Sequence, residues 1–585
     1  MTDTRFAREA WLRALQATAP LAARGETLPQ LVDRWALSYD SAPALLGTDG
    51  TLTYRRLAWR VNQFSRWGIS RGLRRGDTVA LLMGNAPDYL AIWIGLIRLG
   101  VSVALINPQQ MGEVLANSID IVKPKFTITD AQHALRLAAI RLKLTQPETF
   151  VLSEAGEHAE SMEPELRTVS GAPLAPQEAA WPALRDNALY IYTSGTTGMP
   201  KAARVSHFRL LQWSHWFAGL LGVTPQDRMY NCLPLCHSVG GVVAALAPLV
   251  NGGSVVIRPR FSASDFWPDV RASGCTLFQY IGELCRYLVN SPAQPGETEH
   301  SLRIACGNGL RAEVWSGFQR RFRVPRIVEY YASTEGNFSL YNCEGEVGAI
   351  GRIPAFLAAG QGVELVRHDL ETGEPRRSAA GLCERCAVDE PGEALGRIAD
   401  GSFEGYTDTA ASERKVLHDV LTPGDRWYRS GDLMRRDARG FFYFLDRVGD
   451  TYRWKGENVS TTEVMSQLAG IRGVLQGVIY GVSMPGNEGR VGMAALAVGP
   501  DFDLADAHAE VRTRLASFAR PLFLRLVTDL ETTATFKPRK HDLVAEGFDP
   551  LRIKDPLYFD DPHTARYVPV DEALFAALAD GKIRV

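Results

Sequence analysis

The segment from residue 190 to 207, reading Y-I-Y-T-S-G-T-T-G-M-P-K-A-A-R-V-S-H, combines residue types that can bind phosphate. An apolar run from Leu189 to Tyr192 predicts a strand that opens into a polar loop. The candidate phosphate-binding residues of this segment are Thr193, Ser194, Gly195, Thr196, Thr197, Gly198 and Lys201. Glycines let backbone N–H groups turn toward an anion, and the hydroxyls and the ammonium add further donors.

This loop is not a Walker A motif, because Ala202 stands where that motif places its magnesium-binding Ser or Thr. A plain Ser/Thr/Gly surface turn is the alternative for six small or hydroxylated residues taken alone. The order Gly-x-x-Gly-x-Pro-Lys directly after an apolar strand favours the phosphate loop.

A second candidate is the stretch 329–336, E-Y-Y-A-S-T-E-G, which follows a predicted strand. An aromatic ring can stack on a base, a hydroxyl can contact phosphate, and a carboxylate can hold a magnesium ion that bridges phosphates. The alternative is a tyrosine-rich strand end with a capping threonine. The residues of interest are Tyr330, Tyr331, Ala332, Ser333, Thr334 and Glu335.

Three further stretches nearer the carboxyl terminus carry charged residues beside small ones. Asp432 follows Gly431 in Y-R-S-G-D-L, where one acid could accept both ribose hydroxyls or simply mark a turn. The stretch 446–459 reads D-R-V-G-D-T-Y-R-W-K-G-E-N-V, a density of charge and glycine unlike a core strand. Lys537 follows Thr535 and Phe536; an isolated lysine is by default a solvated surface charge.

Together these stretches resemble the motifs of the adenylate-forming superfamily, and most closely its fatty acid transport protein and very-long-chain acyl-CoA synthetase branch. The resemblance covers about residues 190 to 550, in the family's order, and is most specific to the branch at 446–459. Three positions depart from the wider superfamily: Ala332 replaces a glycine, Gly449 replaces an Asp or Lys, and Phe536 replaces a glycine.

The resemblance implies roles for the nucleotide-binding residues. Tyr331 would stack on adenine, Thr334 would contact the α-phosphate and Glu335 would hold Mg²⁺. Asp432 would bind ribose and Arg447 ribose or phosphate. The adenine-side turn would be formed by Gly307, Asn308 and Gly309.

For catalysis and the acyl substrate, the resemblance makes Lys537 the adenylation lysine, with Lys540 as the fallback candidate, and Gly449 the hinge. His237 would gate the acyl carboxylate, although a satisfied core histidine is an equally fair interpretation. Tyr280 and Gly282 would form part of the acyl pocket wall.

Composition restricts the class of protein. The 585 residues are 46% hydrophobic and 22% charged, which is typical of a globular chain with more than one core. The net charge of −2 gives no drive toward nucleic acid. Eight scattered cysteines favour a reducing compartment, and the isolated C-x-x-C at 383–386 does not complete a zinc site.

Alternating apolar runs and helical patterns predict an α/β fold with parallel sheets. We expect a large N-terminal domain over 1–446, made of two parallel-sheet α/β halves and a β-rich subdomain, with ligands in the crevice at the strand ends. A small, mobile α+β domain over 447–585 would carry the adenylation lysine. The longest apolar runs are too short to span a bilayer, which takes about 20 residues.

The expected activity is ATP-dependent synthesis of long- or very-long-chain fatty acyl-CoA through an acyl adenylate, with ATP, Mg²⁺ and CoA. The alternatives are an acyl-AMP ligase that loads an acyl carrier protein, a bile or steroid acid CoA ligase, and a non-catalytic fatty acid binding or uptake protein. A cytoplasmic location is expected. Peripheral membrane contact, homodimerisation and the acyl chain length are left open by the sequence.

Overall fold

The computed structural model describes residues 4–146, 148–153, 159–194, 199–357, 362–369, 372–399, 402–455, 457–485, 489–532 and 540–583. The chain divides into two compact units. The first consists of Met1–Phe356 and Ala399–Lys415, and the second of Leu357–Ile398 and Val416–Val585. The boundary expected after Asp446 lies inside the second unit, so a separate terminal domain from 447 onward stays a prediction.

The first unit alternates helices and strands over most of its length. Its helices are α1 (Thr4–Thr18), α2 (Leu21–Arg24), α3 (Leu28–Tyr39), α4 (Tyr54–Ser70), α5 (Pro87–Ile97), α6 (Gly112–Asp120), α7 (Ala131–Ile140), α8 (Glu163–Leu166), α9 (His207–Leu221), α10 (Ala245–Leu249), α11 (Phe266–Ala272), α12 (Gly282–Asn290), α13 (Ala312–Phe322) and α14 (Thr409–Glu413). A 3₁₀ turn covers Arg141–Lys143, and a π-helix covers Ser238–Ala244.

The strands of the first unit form two sheets. They are β1 (Pro43–Gly47), β2 (Gly50–Thr53), β3 (Thr78–Leu82), β4 (Ser102–Leu105), β5 (Phe126–Thr129), β6 (Thr149–Val151), β7 (Glu160–Ser161), β8 (Asn187–Ser194), β9 (Pro200–Ser206), β10 (Arg228–Asn231), β11 (Ser254–Ile257), β12 (Leu277–Ile281), β13 (Ile304–Asn308), β14 (Ile327–Ala332), β15 (Ser339–Asn342) and β16 (Gly351–Arg352).

One sheet has the strand order β7-β6-β5-β3-β4-β8-β9, parallel except for the last pair. The other runs β2-β1-β11-β10-β12-β13-β14-β15-β16, and it is parallel from β1 across to β14. Strands β4 and β11 are buried along their whole length because helices cover both faces. The carboxyl ends of the parallel strands therefore share one edge, where loops are free to form a ligand site.

The second unit is richer in antiparallel strands. Its strands are β17 (Val363–Val366), β18 (His368–Asp369), β19 (Glu374–Pro375), β20 (Gly392–Arg397), β21 (Val416–His418), β22 (Arg426–Arg436), β23 (Phe441–Arg447), β24 (Tyr452–Trp454), β25 (Glu457–Val459), β26 (Val474–Val482), β27 (Val491–Val498), β28 (Phe523–Val527), β29 (Leu557–Asp561) and β30 (Arg566–Pro569). Its helices are α15 (Thr461–Leu468), α16 (Leu504–Arg514), α17 (Lys540–Glu546) and α18 (Glu572–Ala579), with a 3₁₀ turn at Ser517–Ala519.

Strands β17, β20, β22 and β23 pair in that order, and β26 to β30 form a five-stranded sheet packed against α15. The predicted α/β class with parallel sheets is confirmed. The apolar runs at 474–482 and 491–498 predict strands, and they match β26 and β27 residue for residue. Strands β29 and β30 and helix α18 were not predicted from the sequence.

Two features of the side chains bear on earlier expectations. All eight cysteines, every one of them within the described residues, are free thiols; seven are buried and Cys386 is half-buried. Among the helices of the described ranges, none has the length and apolar content needed to cross a bilayer.

Candidate active site

The predicted phosphate loop connects two antiparallel strands, β8 and β9. Thr193 pairs with Lys201, and Ser194 pairs with Pro200, so the lysine lies within a strand rather than in the loop itself. Gly195, Thr196, Thr197 and Gly198 lie outside the described residues. No described residue accepts a hydrogen bond from the Lys201 ammonium, which lies 5.9 Å from the centroid of the Tyr406 ring. That cation is therefore available to an anionic ligand.

Tyr406 was missed by the sequence reasoning. It belongs to the short segment of the first unit that returns after residue 399, and it forms an antiparallel bridge with Ala203 on β9. The N–H of Thr407 donates to the carbonyl oxygen of Ala202 over 3.0 Å, which fixes the segment along the strand. No periodic pattern marks this segment; an aromatic residue after glycine in F-E-G-Y was the only signal.

Three stretches singled out in the sequence are neighbours in the first unit. They lie at the carboxyl edge of the sheet that runs from β2 to β16. Tyr280 pairs with Gly307, and Gly307 pairs with Glu329. A Cβ atom added at Gly282 would lie 1.8 Å from the carbonyl oxygen of Gly309. The predicted acyl wall and the predicted adenine turn thus share one tightly packed piece of backbone.

The loop after β14 contacts the loop that carries His237. Thr334 Oγ1 lies 3.0 Å from Oγ of Ser238, the residue that begins the π-helix. His237 is half-buried directly before it, and its carbonyl oxygen accepts the N–H of Gly241 over 2.7 Å. The structure therefore brings the predicted phosphate contact and the predicted carboxylate gate together, with Ser238 between them.

The tyrosines of the second candidate stretch differ in their surroundings. Tyr330 is only 3% exposed, and its ring packs against Phe217 and Tyr341 in the core. Tyr331 is half-buried, with its ring centroid 5.6 Å from that of Phe338. Tyr331 is thus the one of the pair that is accessible to a base. Ala332 is exposed, and Ser333 is half-buried.

Glu335 fits a divalent cation. Glu335 is 8% exposed, and none of the described residues donates a hydrogen bond to its carboxylate. A largely buried carboxylate needs a charge or a donor to offset its lost hydration. Oxygen ligands of this kind, combined with phosphate oxygens, are those that Mg²⁺ prefers.

Arg209 links the phosphate hairpin to the Glu335 loop, and the sequence reasoning missed it. It lies in the first turn of α9, which begins directly after β9, and its guanidinium donates to the carbonyl oxygen of Gly336. Ser206 caps the same helix by accepting the N–H of Arg209 over 3.2 Å. The position of the hairpin is therefore tied to that of the predicted magnesium ligand.

Glu329 is a buried carboxylate beneath this edge of the sheet. Its residue is 1% exposed; Oε2 accepts the hydroxyl of Tyr280 over 2.5 Å, and Oε1 accepts the N–H of Leu310 over 3.1 Å. Burial raises the pKa of Glu329 to about 8, although the hydrogen bonds from Tyr280, Leu310 and Gly309 oppose the shift. The group is therefore mostly protonated at neutral pH.

Replacing Glu329 by glutamine is expected to make the first unit less sensitive to alkaline pH. The folded chain keeps this proton up to about pH 8, whereas an unfolded chain loses it near pH 4.3, so the stability of the wild type falls as pH rises between these values. Glutamine cannot ionise. We expect the thermal midpoints to converge near pH 4, where Glu329 is mostly protonated in both states of the wild type, and the variant to be higher by roughly 3–6 °C at pH 9. Parallel midpoint curves from pH 5 to 9 would contradict this.

In the second unit, the two residues predicted to contact ribose are adjacent. Asp432 pairs with Arg447 across β22 and β23, and Arg447 Nε lies 3.5 Å from Asp432 Oδ1. Gly449 lies in the turn after β23, with no atom within 4 Å of an added Cβ. Lys537 lies outside the described residues.

Lys540, the fallback candidate for adenylation, is engaged within the second unit. Its ammonium donates to Asp450 Oδ2 over 2.8 Å and to Thr461 Oγ1 over 3.0 Å. Thr461 in turn donates through its N–H to Asp446 Oδ2 over 2.6 Å. In this arrangement Lys540 holds helix α17 to the residues on either side of Gly449.

Comparison with known proteins agrees with this architecture. A model of the family described as AMP-binding enzyme matches residues 32–394, more than half of the chain. The chain is 38% identical to mouse long-chain fatty acid transport protein 1 over 570 residues, covering 95% of this chain and 88% of that one. It is 41% identical to mouse long-chain fatty acid transport protein 3 over 526 residues, covering 88% and 78%.

Solved structures share the fold. The anthranilate CoA ligase AuaEII in complex with anthranoyl-AMP superposes with a TM-score of 0.76 at 21% identity, covering 89% of this chain and 97% of that one. ATP-bound MatB from Rhodopseudomonas palustris gives a TM-score of 0.75 at 23% identity, covering 88% and 98%. The chain belongs to the AMP-binding enzyme family, and its curated relatives of 38–41% identity are long-chain fatty acid transport proteins.

Proposed function

We propose that this chain is an ATP-dependent acyl-CoA synthetase for long- or very-long-chain fatty acids. A fatty carboxylate attacks the α-phosphorus of ATP, an acyl adenylate forms and pyrophosphate leaves. The thiolate of CoA then attacks the acyl carbon, and AMP leaves as the thioester forms. The observation that carries the proposal is the convergence of Tyr280–Gly282, Gly307–Gly309 and Tyr331–Thr334 at one sheet edge, in a chain 38% identical to a long-chain fatty acid transport protein.

In the first half-reaction the chain aligns the fatty carboxylate with the α-phosphate of ATP. Tyr331 stacks on adenine at the open end of β14, and the turn from Gly307 to Gly309 lines the base. Thr334 donates to the α-phosphate, with Ser238 beside it to fix the hydroxyl. Lys201 and Lys537 offset the charge that gathers between the nucleophile and the phosphates.

Glu335 would hold Mg²⁺, which supplies further positive charge to the phosphates when it is bound. The other site residues act directly on the substrates. His237 and Gly282 flank the acyl carboxylate, and Asp432 and Arg447 hold the ribose. No protein nucleophile takes part, because the adenylate is itself the activated acyl group.

The second half-reaction needs CoA to reach the acyl carbon of the adenylate, and we assign this change to a rotation about Gly449. Gly449→Pro is expected to slow thioester formation from supplied acyl adenylate at least about 10-fold and to spare fatty-acid-dependent ATP/pyrophosphate exchange. Gly449→Ala is the control, because an added Cβ meets no atom within 4 Å. Loss of pyrophosphate exchange in the proline variant would remove the hinge assignment.

Fatty-acid-dependent exchange of pyrophosphate into ATP tests the proposed function directly. A pure binding or uptake protein would show no exchange. Competition between CoA and acyl carrier protein in a thioester assay identifies the acceptor, and thioester formed only on the carrier would overturn the CoA assignment. A panel of fatty acids from six carbons upward, with one steroid acid included, reports the substrate class.

The proposed location is the cytoplasm, where ATP and CoA are both supplied. Fractionation of cells that express the chain would check this, since recovery in the membrane fraction at physiological salt would show peripheral attachment instead.

A further inference from the structure

A fully buried carboxylate, that of Glu393, contacts an irregular stretch within β22 that we call the Gly431–Asp432 turn. Glu393 is on β20, next to β22, and is 0% exposed. Oε1 accepts Nε of Arg429 over 2.9 Å and the backbone N–H of Gly431 over 3.1 Å. Nδ1 of His368 lies 3.1 Å from Oε2. One carboxylate thus joins two side chains to the backbone of the residue before Asp432.

The turn itself has an unusual backbone. Gly431 has φ of 76°, the left-handed region in which side chains are disfavoured. Its carbonyl oxygen accepts the N–H of Val448 over 2.9 Å, and the N–H of Asp432 donates to Oγ of Ser430 over 3.1 Å. The bond from Gly431 N–H to Glu393 completes this set. The direction of the Asp432 side chain therefore depends on the hydrogen bonds that hold this turn, including the one to Glu393.

Electrostatics favour the ionised form of Glu393. Burial alone would raise the pKa of this carboxyl, but the adjacent His368 ring and the charge of Arg429 outweigh it, so the pKa lies below its usual range. A charge-assisted hydrogen bond to the Gly431 N–H is stronger than one to a neutral oxygen. Removal of that charge would loosen the turn without touching the nucleotide.

We propose that Glu393 is a positioning residue for nucleotide binding: it holds the Gly431–Asp432 turn so that the Asp432 carboxylate meets the ribose hydroxyls. This rests on the proposed function, because it takes the ribose role of Asp432 from it. Glu393 itself does not contact the nucleotide.

The chain offers a matched control in Glu374. Glu374 also pairs with Arg429, with Oε2 3.0 Å from Nη1, but its side chain is 60% exposed and it makes no hydrogen bond to Gly431. Glu374→Gln removes the same charge from the same arginine. It leaves the turn with all its hydrogen bonds.

The test compares ATP with 2′-deoxy-ATP and 3′-deoxy-ATP in fatty-acid-dependent pyrophosphate exchange. We expect Glu393→Gln to lower kcat/KM for ATP about 10-fold, mainly through KM, and to lower it much less for the deoxy analogues. The ratio of kcat/KM for ATP to kcat/KM for each deoxy analogue then falls toward the ratio measured for Asp432→Asn. Glu374→Gln keeps the wild-type ratio. If Glu393→Gln does not fold, His368→Asn is expected to shift the ratio in the same direction by a smaller factor.

Every result of this comparison supports or overturns either the inference or the ribose role of Asp432. Equal losses with ATP and both analogues in Glu393→Gln would show a merely structural role and overturn the inference, as would an unchanged ratio. A wild-type ratio in Asp432→Asn would instead show that Asp432 does not bind ribose, so that part of the proposed function would fail first. If Asp432→Asn no longer prefers ATP over its deoxy analogues while Glu393→Gln keeps the wild-type preference, the proposed function stands and only the inference is rejected.

Discussion

Replacement of Lys537 by alanine is expected to slow adenylate formation about 10²–10³-fold and to leave thioester formation from supplied acyl adenylate within about 2-fold of wild type. The physical reason is charge: the attack on the α-phosphorus brings a carboxylate toward a triphosphate, and a cation placed there stabilises the transition state more than the bound substrates. The second half-reaction has no triphosphate. Pyrophosphate exchange measures the first step, and CoA consumption with supplied adenylate measures the second.

Lys540→Ala separates the two candidate lysines. The structure gives Lys540 an anchoring role, through its hydrogen bonds to Asp450 and Thr461. We therefore expect this variant to keep pyrophosphate exchange within a few-fold of wild type and to lower the thermal midpoint of the second unit. Equal loss of both half-reactions in Lys537→Ala, or loss of exchange only in Lys540→Ala, would show that the adenylation role is assigned to the wrong lysine.

Gly282→Ala is expected to lower kcat/KM for both ATP and fatty acid by about 10² or more. An added Cβ would lie 1.8 Å from the carbonyl oxygen of Gly309, 2.4 Å from its carbonyl carbon and 2.9 Å from the amide nitrogen of Leu310. All three atoms are backbone, so the adenine turn has to move. Displacement of a binding group by about 1 Å can cost 10²-fold in rate.

Gly317→Ala is the matched control for this variant. Gly317 lies within α13 of the same unit, where an added Cβ would meet only Cγ1 of Val289, at an ordinary 3.5 Å. Alanine favours a helix over glycine by about 1 kcal/mol, so activity should stay at the wild-type level and the thermal midpoint should not fall. Titration with ATP and with fatty acid should show both KM values raised in Gly282→Ala. A rise in the fatty acid KM alone would contradict a shared backbone.

Much of the fold could be predicted from periodicity and from a resemblance carried by short motifs. The alternation of apolar strands and helices places Tyr280, Gly307 and Tyr331 at strand ends, and parallel strands bring such ends to one edge. The grouping of these three in the structure follows from that rule. The roles assigned to them remain predictions.

Contacts between side chains far apart in sequence could not be predicted. Glu329 reads as an ordinary residue in a strand, and only the fold shows it buried beneath Tyr280 and Leu310. Glu393 and Arg429 are 36 residues apart and meet because β20 and β22 pair. The return of Tyr406 to β9 gave no periodic signal, since a single bridge has no repeat.

The state of the sulfur atoms has a practical consequence for measuring the second half-reaction. Seven of the eight thiols are buried, and burial raises the pKa of the eighth, Cys386, to about 12. Disulfide reagents react with thiolates, so the folded chain should give little colour of its own with a chromogenic reagent at pH 8. Disappearance of free coenzyme thiol could then be followed colorimetrically even at micromolar enzyme, where slow variants must be assayed.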